Sequence, residues 1–149
     1  MKDDTKTPQD SRDAPLKFAI VLMIKHPDMD PARISMELGL QPWHSWKACE
    51  PRVTPFGKRL PGVNPTSYWV SREEVTGKRL FFENVLELVG RLEPSSKLIA
   101  EIVDGGGFVS ITVQLPGERN IGDSMDWPGL ARIAALKIEL GIEVFPDWN

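Results

Sequence analysis

The side chains best suited to metal binding or proton transfer in this sequence are His26, His44 and Cys49. Histidine acts as a general base or metal ligand near neutral pH, and a cysteine thiolate acts as a nucleophile or zinc ligand. Zinc sites use paired ligands, as in C-x2-C or H-E-x-x-H, and many serine hydrolases carry G-x-S-x-G, but the sequence contains none of these patterns. We therefore expect no metal site, no cofactor and no catalytic residue, although enzymatic activity stays an open question that the sequence does not favour.

A run of three glycines, Gly105 to Gly107, could bring backbone amides close to a phosphate. Nucleotide-binding glycine motifs follow a strand and open a helix, whereas these glycines precede an apolar segment with the composition of a strand. No Gly-Lys-Ser or Gly-Lys-Thr follows them. We therefore interpret the run as a tight turn.

The clearest functional signal is an uneven distribution of charge and aromatic residues. Residues 43–80 contain seven basic and three acidic side chains, a net charge of +4, whereas residues 81–149 contain five basic and eleven acidic ones. The basic segment also contains five aromatic side chains, three of them tryptophans. Such a surface suits an acidic protein or a nucleic acid. The candidate binding residues are Trp43, His44, Trp46, Arg52, Lys58, Arg59, Trp69 and Arg72.

An acidic protein partner is the functional interpretation that we favour for this surface. The tryptophans would be rigid anchors, and the cations would steer the partner toward them. An immunity- or antitoxin-like inhibitor is one version of such a protein-binding module. A solvated surface without any partner explains the same composition, and Tyr68 and Trp69 alternate along a strand, so one of them should be buried. The overall pI of about 5.4 and the lack of a nucleic-acid-binding motif argue against nucleic acid.

Two further interpretations stay open. A small-molecule or phosphate-binding domain, or a small enzyme, would use a pocket between a sheet and the basic loop, where Arg52 or Arg59 could hold an anion. A homodimer could form through an open sheet edge, at residues 108–115 or 142–146. A buried histidine facing a cleft would favour the first interpretation, whereas the lack of an enclosed pocket near His44 would favour the protein-binding class.

The elements that must position these side chains begin with a strand and a helix. Residues 17–25 form the apolar run of a buried strand, and a helix is predicted over residues 31–38. Asp30 can cap the start of this helix, and Pro31 suits its first position. Gly39 can then end the helix in the left-handed conformation.

Later segments extend this unit to the order β-α-β-β-α-β-α-β. Strands are predicted at 66–72, 108–115 and 142–145, with a short hairpin strand at 43–47 or 50–53. Helices are predicted at 80–92, at 95–103, and from Asp126 to Leu140, where Gly141 should end the last one. The proline-rich stretch 51–65 is predicted to be a loop. This order predicts an α+β class, a ferredoxin-like split β-α-β fold with an antiparallel sheet and an added C-terminal helix and strand.

Several short motifs also carry a resemblance to a known family. They are Asp28-x-Asp30-Pro31, Leu38-Gly39-Leu40-x-Pro42, Thr66-Ser67-Tyr68-Trp69 and a late Leu-Gly-Ile-x-Val segment at 140–144. Together they resemble the bacterial DUF4279 family, a domain of unknown function, over roughly residues 17–146. The resemblance implies an α+β domain with no established activity, and it therefore supplies no catalytic or binding residues.

Length and composition agree with a single domain over residues 16–149. The chain has 149 residues, 41% hydrophobic and 26% charged, which suffices for one core. Residues 1–15 are charged and proline-containing, and we expect a disordered tail without the features of a secretory signal. The single Cys49 excludes an internal disulfide, and the longest apolar run, 18–24, is too short to span a bilayer. We therefore expect a cytoplasmic protein without a membrane segment.

Overall fold

The computed structural model describes residues 14–146. Its strands are β1 (Leu16–His26), β2 (His44–Trp46), β3 (Pro51–Val53), β4 (Arg59–Val63), β5 (Ser67–Gly77), β6 (Phe108–Pro116) and β7 (Ile138–Phe145). Its helices are α1 (Pro31–Leu38), α2 (Phe81–Leu92), α3 (Ser96–Asp104) and α4 (Trp127–Ala135), with a short 3-10 turn at Glu93–Ser95. Most of the predicted disordered tail lies outside the described residues.

Five strands form one sheet in the order β2-β5-β1-β6-β7. Neighbouring strands are antiparallel except for β6 and β7, which are parallel. The first four of these strands form two interleaved β-α-β units, which is the predicted ferredoxin-like arrangement. The added unit, α4 and β7, extends the sheet beyond β6. The predicted α+β class is therefore confirmed.

The helices cover one face of the five-stranded sheet. Alternate residues of β1 from Phe18 to Ile24 are buried in a core that contains apolar side chains of all four helices. The register places Ile24 between Trp69 of β5 and Val109 of β6, so these strands present the same side to the helices. The intervening residues therefore lie on the opposite face, which we call the open face.

The first helix forms as its sequence predicts. The Ala32 amide donates to Asp30 Oδ1 at 2.9 Å, and Gly39 ends α1 with a φ of 65°. His26 secures the turn before the helix, because its Nδ1 accepts hydrogen bonds from the amides of Asp28 at 3.1 Å and Met29 at 2.8 Å. The buried His26 therefore has a structural partner in this turn.

The last predicted helix is too long. The helix expected to run from Asp126 to Leu140 ends at Ala135, and Lys137 turns the chain with a φ of 56°. β7 then begins at Ile138, because this buried side chain pairs with Val109 of β6 and completes the core there. The apolar residues that fit one face of a helix in the sequence are therefore divided between α4 and β7.

The two positions considered for a hairpin strand, 43–47 and 50–53, both contain one, β2 and β3, and β3 pairs with β4 in a separate two-stranded sheet within the stretch predicted as a loop. We call residues 51–63 the arm. Hydrogen bonds from the Cys49 amide to the Asn64 oxygen and from the Asn64 amide to the Glu50 oxygen, both 2.9 Å, hold together the two chain segments at its base. Prolines are compatible with this pairing because each strand of a two-stranded sheet has an outer edge that needs no donor.

The two predicted dimer edges differ in the structure. β6 has a neighbour on each side, so residues 108–115 are not an open edge, whereas β7 lies at the end of the sheet. The glycine run before β6 is a turn, as predicted, with Gly106 at a φ of 91°. No helix within residues 14–146 is long and apolar enough to cross a membrane.

Candidate functional site

A cleft of about 400 Å³ lies on the open face where β2 pairs with β5. We call it the cleft. It is open to solvent, and its lining consists of Val21, Trp43, His44, Trp46, Tyr68, Val70, Arg72 and Gln114. Four of the eight residues proposed from the sequence therefore meet at one site.

The pairing of β2 with β5 brings the aromatic side chains together. His44 lies opposite Val70 and Trp46 opposite Tyr68, so both β2 side chains point to the same face. The Trp43 amide donates to the Val70 oxygen at 2.7 Å and holds the preceding residue beside them. A strand of only three residues, with the residue before it, thus places the rings of Trp43, His44 and Trp46 at the cleft.

Two ring pairs form the walls of the cleft. Trp46 stacks on Tyr68 with 4.2 Å between ring centroids, and Trp43 lies 4.5 Å from the His44 ring. Partial burial raises the pKa of Tyr68. Lys25 Nζ lies 5.9 Å from the Tyr68 ring and 5.8 Å from the Phe108 ring, which places a cation beside this aromatic surface. The cleft is therefore lined with flat, rigid side chains next to positive charge.

Arg72 forms the polar side of the cleft. Its Nη1 donates to Glu74 Oε1 at 2.8 Å, and its Nε lies 3.4 Å from Gln114 Oε1. The hydrogen bond from Arg72 lowers the pKa of Glu74. These contacts fix the guanidinium along the open face, where it adds a polar side to an otherwise apolar site.

Three further predicted residues lie on the arm. Arg52, Lys58 and Arg59 are exposed, and none has an ion pair within the part of the chain that the structure describes. The arm contains no acidic residue, and Phe56 at its tip is 99% exposed. These cations do not line the cleft, but their arm leaves the sheet at the end that carries Trp46 and Tyr68.

Trp69 does not belong to the exposed surface, and its prediction as a binding residue is corrected. It is 0% exposed, packs in the core under the helices, and donates from Nε1 to Ser35 Oγ of α1 at 2.9 Å. Because residues alternate along β5, burial of Trp69 places Tyr68 on the open face. The alternation predicted that one of the two is buried, and the structure shows which.

The sequence analysis missed Val21, Val70, Tyr68 and Gln114 as cleft residues. Tyr68 was recognisable from its alternation with Trp69 once either residue was assigned to the core. The other three line the cleft because of how the strands pair. Val21, for example, lies opposite Arg72 of β5 on one side and Thr112 of β6 on the other. Such register depends on pairing between distant segments, and no local motif indicates it.

The potential catalytic side chains are not assembled into a reactive group. His26 is buried in its turn, His44 is exposed in the cleft, and Cys49 is exposed at the base of the arm with a φ of 66°. No group of three metal-ligating side chains occurs within residues 14–146. The cleft and arm present exposed contact area, aromatic stacking and positive charge.

The chain matches no protein-family model, no curated protein sequence and no solved structure. The resemblance to DUF4279 therefore stays a prediction.

Proposed function

We propose that this domain binds an acidic protein partner, with the cleft as the anchoring site and the arm as a cationic extension. The observation that carries the proposal is that all four helices lie on one face, while the other face exposes stacked aromatic side chains beside the basic arm. Exposed aromatic residues of limited flexibility are typical of interface hot spots. An immunity- or antitoxin-like inhibitor is one form of this proposal.

The structure of the arm favours a role in binding a protein partner over that of an ordinary solvated loop. A two-stranded hairpin is only marginally stable by itself, and this one leaves Phe56, Val53 and Val63 exposed. Exposed apolar side chains grouped on a projection are stabilised when a partner covers them. Pro51, Pro55 and Pro61 remove backbone donors from the arm, which favours recognition through side chains over addition of a further strand.

Charge supports an acidic partner. Arg52, Lys58 and Arg59 lie on a segment without a carboxylate, in a chain with a formal net charge of −3. A local positive patch on an acidic protein accelerates encounter with an acidic surface and slows encounter with basic ones. The association rate should therefore fall as salt concentration rises.

A small molecule in the cleft is the second candidate. The volume of about 400 Å³ lies within the range of ligand sites, and Arg72 could contact an anionic group. The cleft beside His44 is open rather than enclosed, and His44 itself is exposed. An open site of this kind favours a protein partner over a small molecule. A cytoplasmic location stays part of the proposal and is supported by the single cysteine.

Site-specific photo-crosslinking tests the proposal. A photoreactive phenylalanine analogue replaces Trp43 in the cleft, Phe56 on the arm, or Met36 on exposed α1 as the matched control. We expect the first two positions to crosslink the same acidic protein and the Met36 position not to do so. Crosslinking of one protein equally from all three positions would contradict the assigned surface.

A further inference from the structure

A second depression, of about 690 Å³ and as open to solvent as the cleft, lies at the other end of β5; we call it the cavity. It forms where the start of β1, the turn between β5 and α2, and the segment after β6 meet. Its lining consists of Ala14, Leu16, Gly77, Lys78, Leu80, Arg119, Asn120, Ile121 and Gly122. It shares no lining residue with the cleft, and roughly 17 Å of β5 separates Arg72 of the cleft from Gly77 at the usual rise of a strand.

The cavity combines two cations with no carboxylate in its lining. Lys78 and Arg119 both line it, and neither has an ion pair among residues 14–146. The neighbouring Arg79 does pair, with Glu83 and Glu87 of α2. Unlike the neighbouring Arg79, Lys78 therefore has no carboxylate partner among the described residues.

Arg119 is held in place by the backbone that enters β1. Its Nη1 donates to the carbonyl oxygens of Ala14 at 3.1 Å and Pro15 at 3.4 Å. A guanidinium has five donor hydrogens, so the others stay available for a ligand. An arginine fixed in this way loses less side-chain freedom on binding than a mobile one.

The remaining lining suits a small ligand with an anionic group. A Cβ built on Gly77 or Gly122 would meet no atom within 4 Å, so the backbone at both positions can be approached closely. Asn120 adds an amide that can donate hydrogen bonds, and Leu16, Leu80 and Ile121 supply an apolar side. The volume is within the range for ligands of drug or metabolite size.

We propose that this cavity binds the phosphate group of a small molecule. Lys78 and Arg119 donate charge-assisted hydrogen bonds to the phosphate oxygens, and the apolar side contacts the rest of the ligand. Phosphate is preferred over a single carboxylate because it offers more acceptor oxygens to the two cations that line the cavity. The site is independent of the partner surface that the cleft and arm form.

Titration of the 15N-labelled full chain with inorganic phosphate, followed by NMR in a phosphate-free buffer at constant ionic strength, tests this proposal. We expect saturable shifts of the amides of Gly77, Lys78, Asn120 and Gly122. Lys78→Ala should raise the dissociation constant about tenfold or more, as expected for loss of a charge-assisted hydrogen bond. Lys78→Arg should keep it within about threefold, because the charge and donors remain.

Controls separate this site from general electrostatics and from the cleft. Lys97→Ala, at an exposed position of α3, removes the same charge elsewhere and should leave the phosphate affinity unchanged. Trp46→Ala should also leave it unchanged, so that this test and that of the protein partner succeed or fail separately. Shifts that do not saturate, or that persist in Lys78→Ala, would overturn the site. Acetate, a single carboxylate, competing as well as phosphate would overturn the preference for phosphate.

Discussion

Trp46 stacks on Tyr68 across the β2 and β5 pair, with ring centroids 4.2 Å apart and an angle of 18° between the ring planes. One ring comes from a three-residue edge strand and the other from an eleven-residue strand beside it. The pair therefore both attaches β2 to the sheet and forms a wall of the cleft.

Removal of the stacked indole should have a modest effect on stability. Trp46→Ala loses an aromatic pair worth about 1 kcal/mol beyond the buried area, so we expect the free energy of unfolding to fall by about 1–2 kcal/mol. Met36→Ala, on an exposed position of α1, should change it by less than about 0.5 kcal/mol. Urea denaturation of both variants measures the difference. Equal stability of wild type and Trp46→Ala would show that the stacking does not hold β2.

Trp69 should behave as a core residue with a specific hydrogen bond. Trp69→Ala should lower the free energy of unfolding by about 3–5 kcal/mol, because it leaves a large cavity under the helices. Trp69→Phe and Ser35→Ala each remove one partner of the bond from Nε1 to Oγ. Their effects should be less than additive by about 1 kcal/mol in a double-mutant cycle. Full additivity would contradict the bond.

The ion pair between Arg33 and Glu101 should make stability depend on pH. Hydrogen bonds from Arg33 to both carboxylate oxygens, each 2.7 Å, lower the pKa of Glu101 below its usual value of about 4.5. The stabilisation is therefore complete above that value and is lost as the pH falls through the lowered pKa. The difference in unfolding free energy between wild type and Glu101→Gln should be present at pH 7 and shrink at lower pH. Glu118→Gln, at an exposed residue without an ion pair in the described structure, should show no such trend.

Gly107 should tolerate no side chain. A Cβ there would lie 2.3 Å from the backbone oxygen of Lys25 and 2.9 Å from that of Ile102. Gly107→Ala should therefore push the turn between α3 and β6 away from the backbone of Lys25 and Ile102. We expect the free energy of unfolding to fall by about 3 kcal/mol. Gly122→Ala, where a Cβ meets no atom within 4 Å, is the matched control and should be close to neutral. Thermal unfolding distinguishes the two, and similar midpoints would contradict the close approach at Gly107.

Local sequence signals predicted most of the fold. The cap at Asp30, the end of α1 at Gly39 and the alternation in β6 each result from residues close in sequence, and each is present in the structure. The end of α4 was not predictable in this way. Residues 136–140 fit a helix face, but pairing of Ile138 with Val109 is a long-range contact that makes them a turn and a strand.

The candidate site was also predicted only in part, because local composition is visible in the sequence whereas long-range strand pairing is not. Aromatic and basic composition identified Trp43, Trp46 and Arg72, which the structure brings together. Composition could not show that Trp69 is in the core, because the side of a strand that faces the helices is set by the whole sheet. Of the arm, only β3 corresponds to a predicted position, 50–53, whereas β4 was missed because prolines indicate a loop, although a two-stranded sheet accommodates them.

Quantitative affinity capture from native lysate, with four versions of the full chain as bait, tests whether an acidic protein binds at the cleft and the arm. The baits are wild type, Trp46→Ala, the triple variant Arg52→Ser/Lys58→Ser/Arg59→Ser, and Met36→Ala as control. We expect one acidic protein that wild type and Met36→Ala retain equally and that Trp46→Ala loses. The triple variant should bind it more weakly and with less dependence on salt. A stoichiometric partner that Trp46→Ala and the triple variant retain as well as wild type does would contradict this expectation.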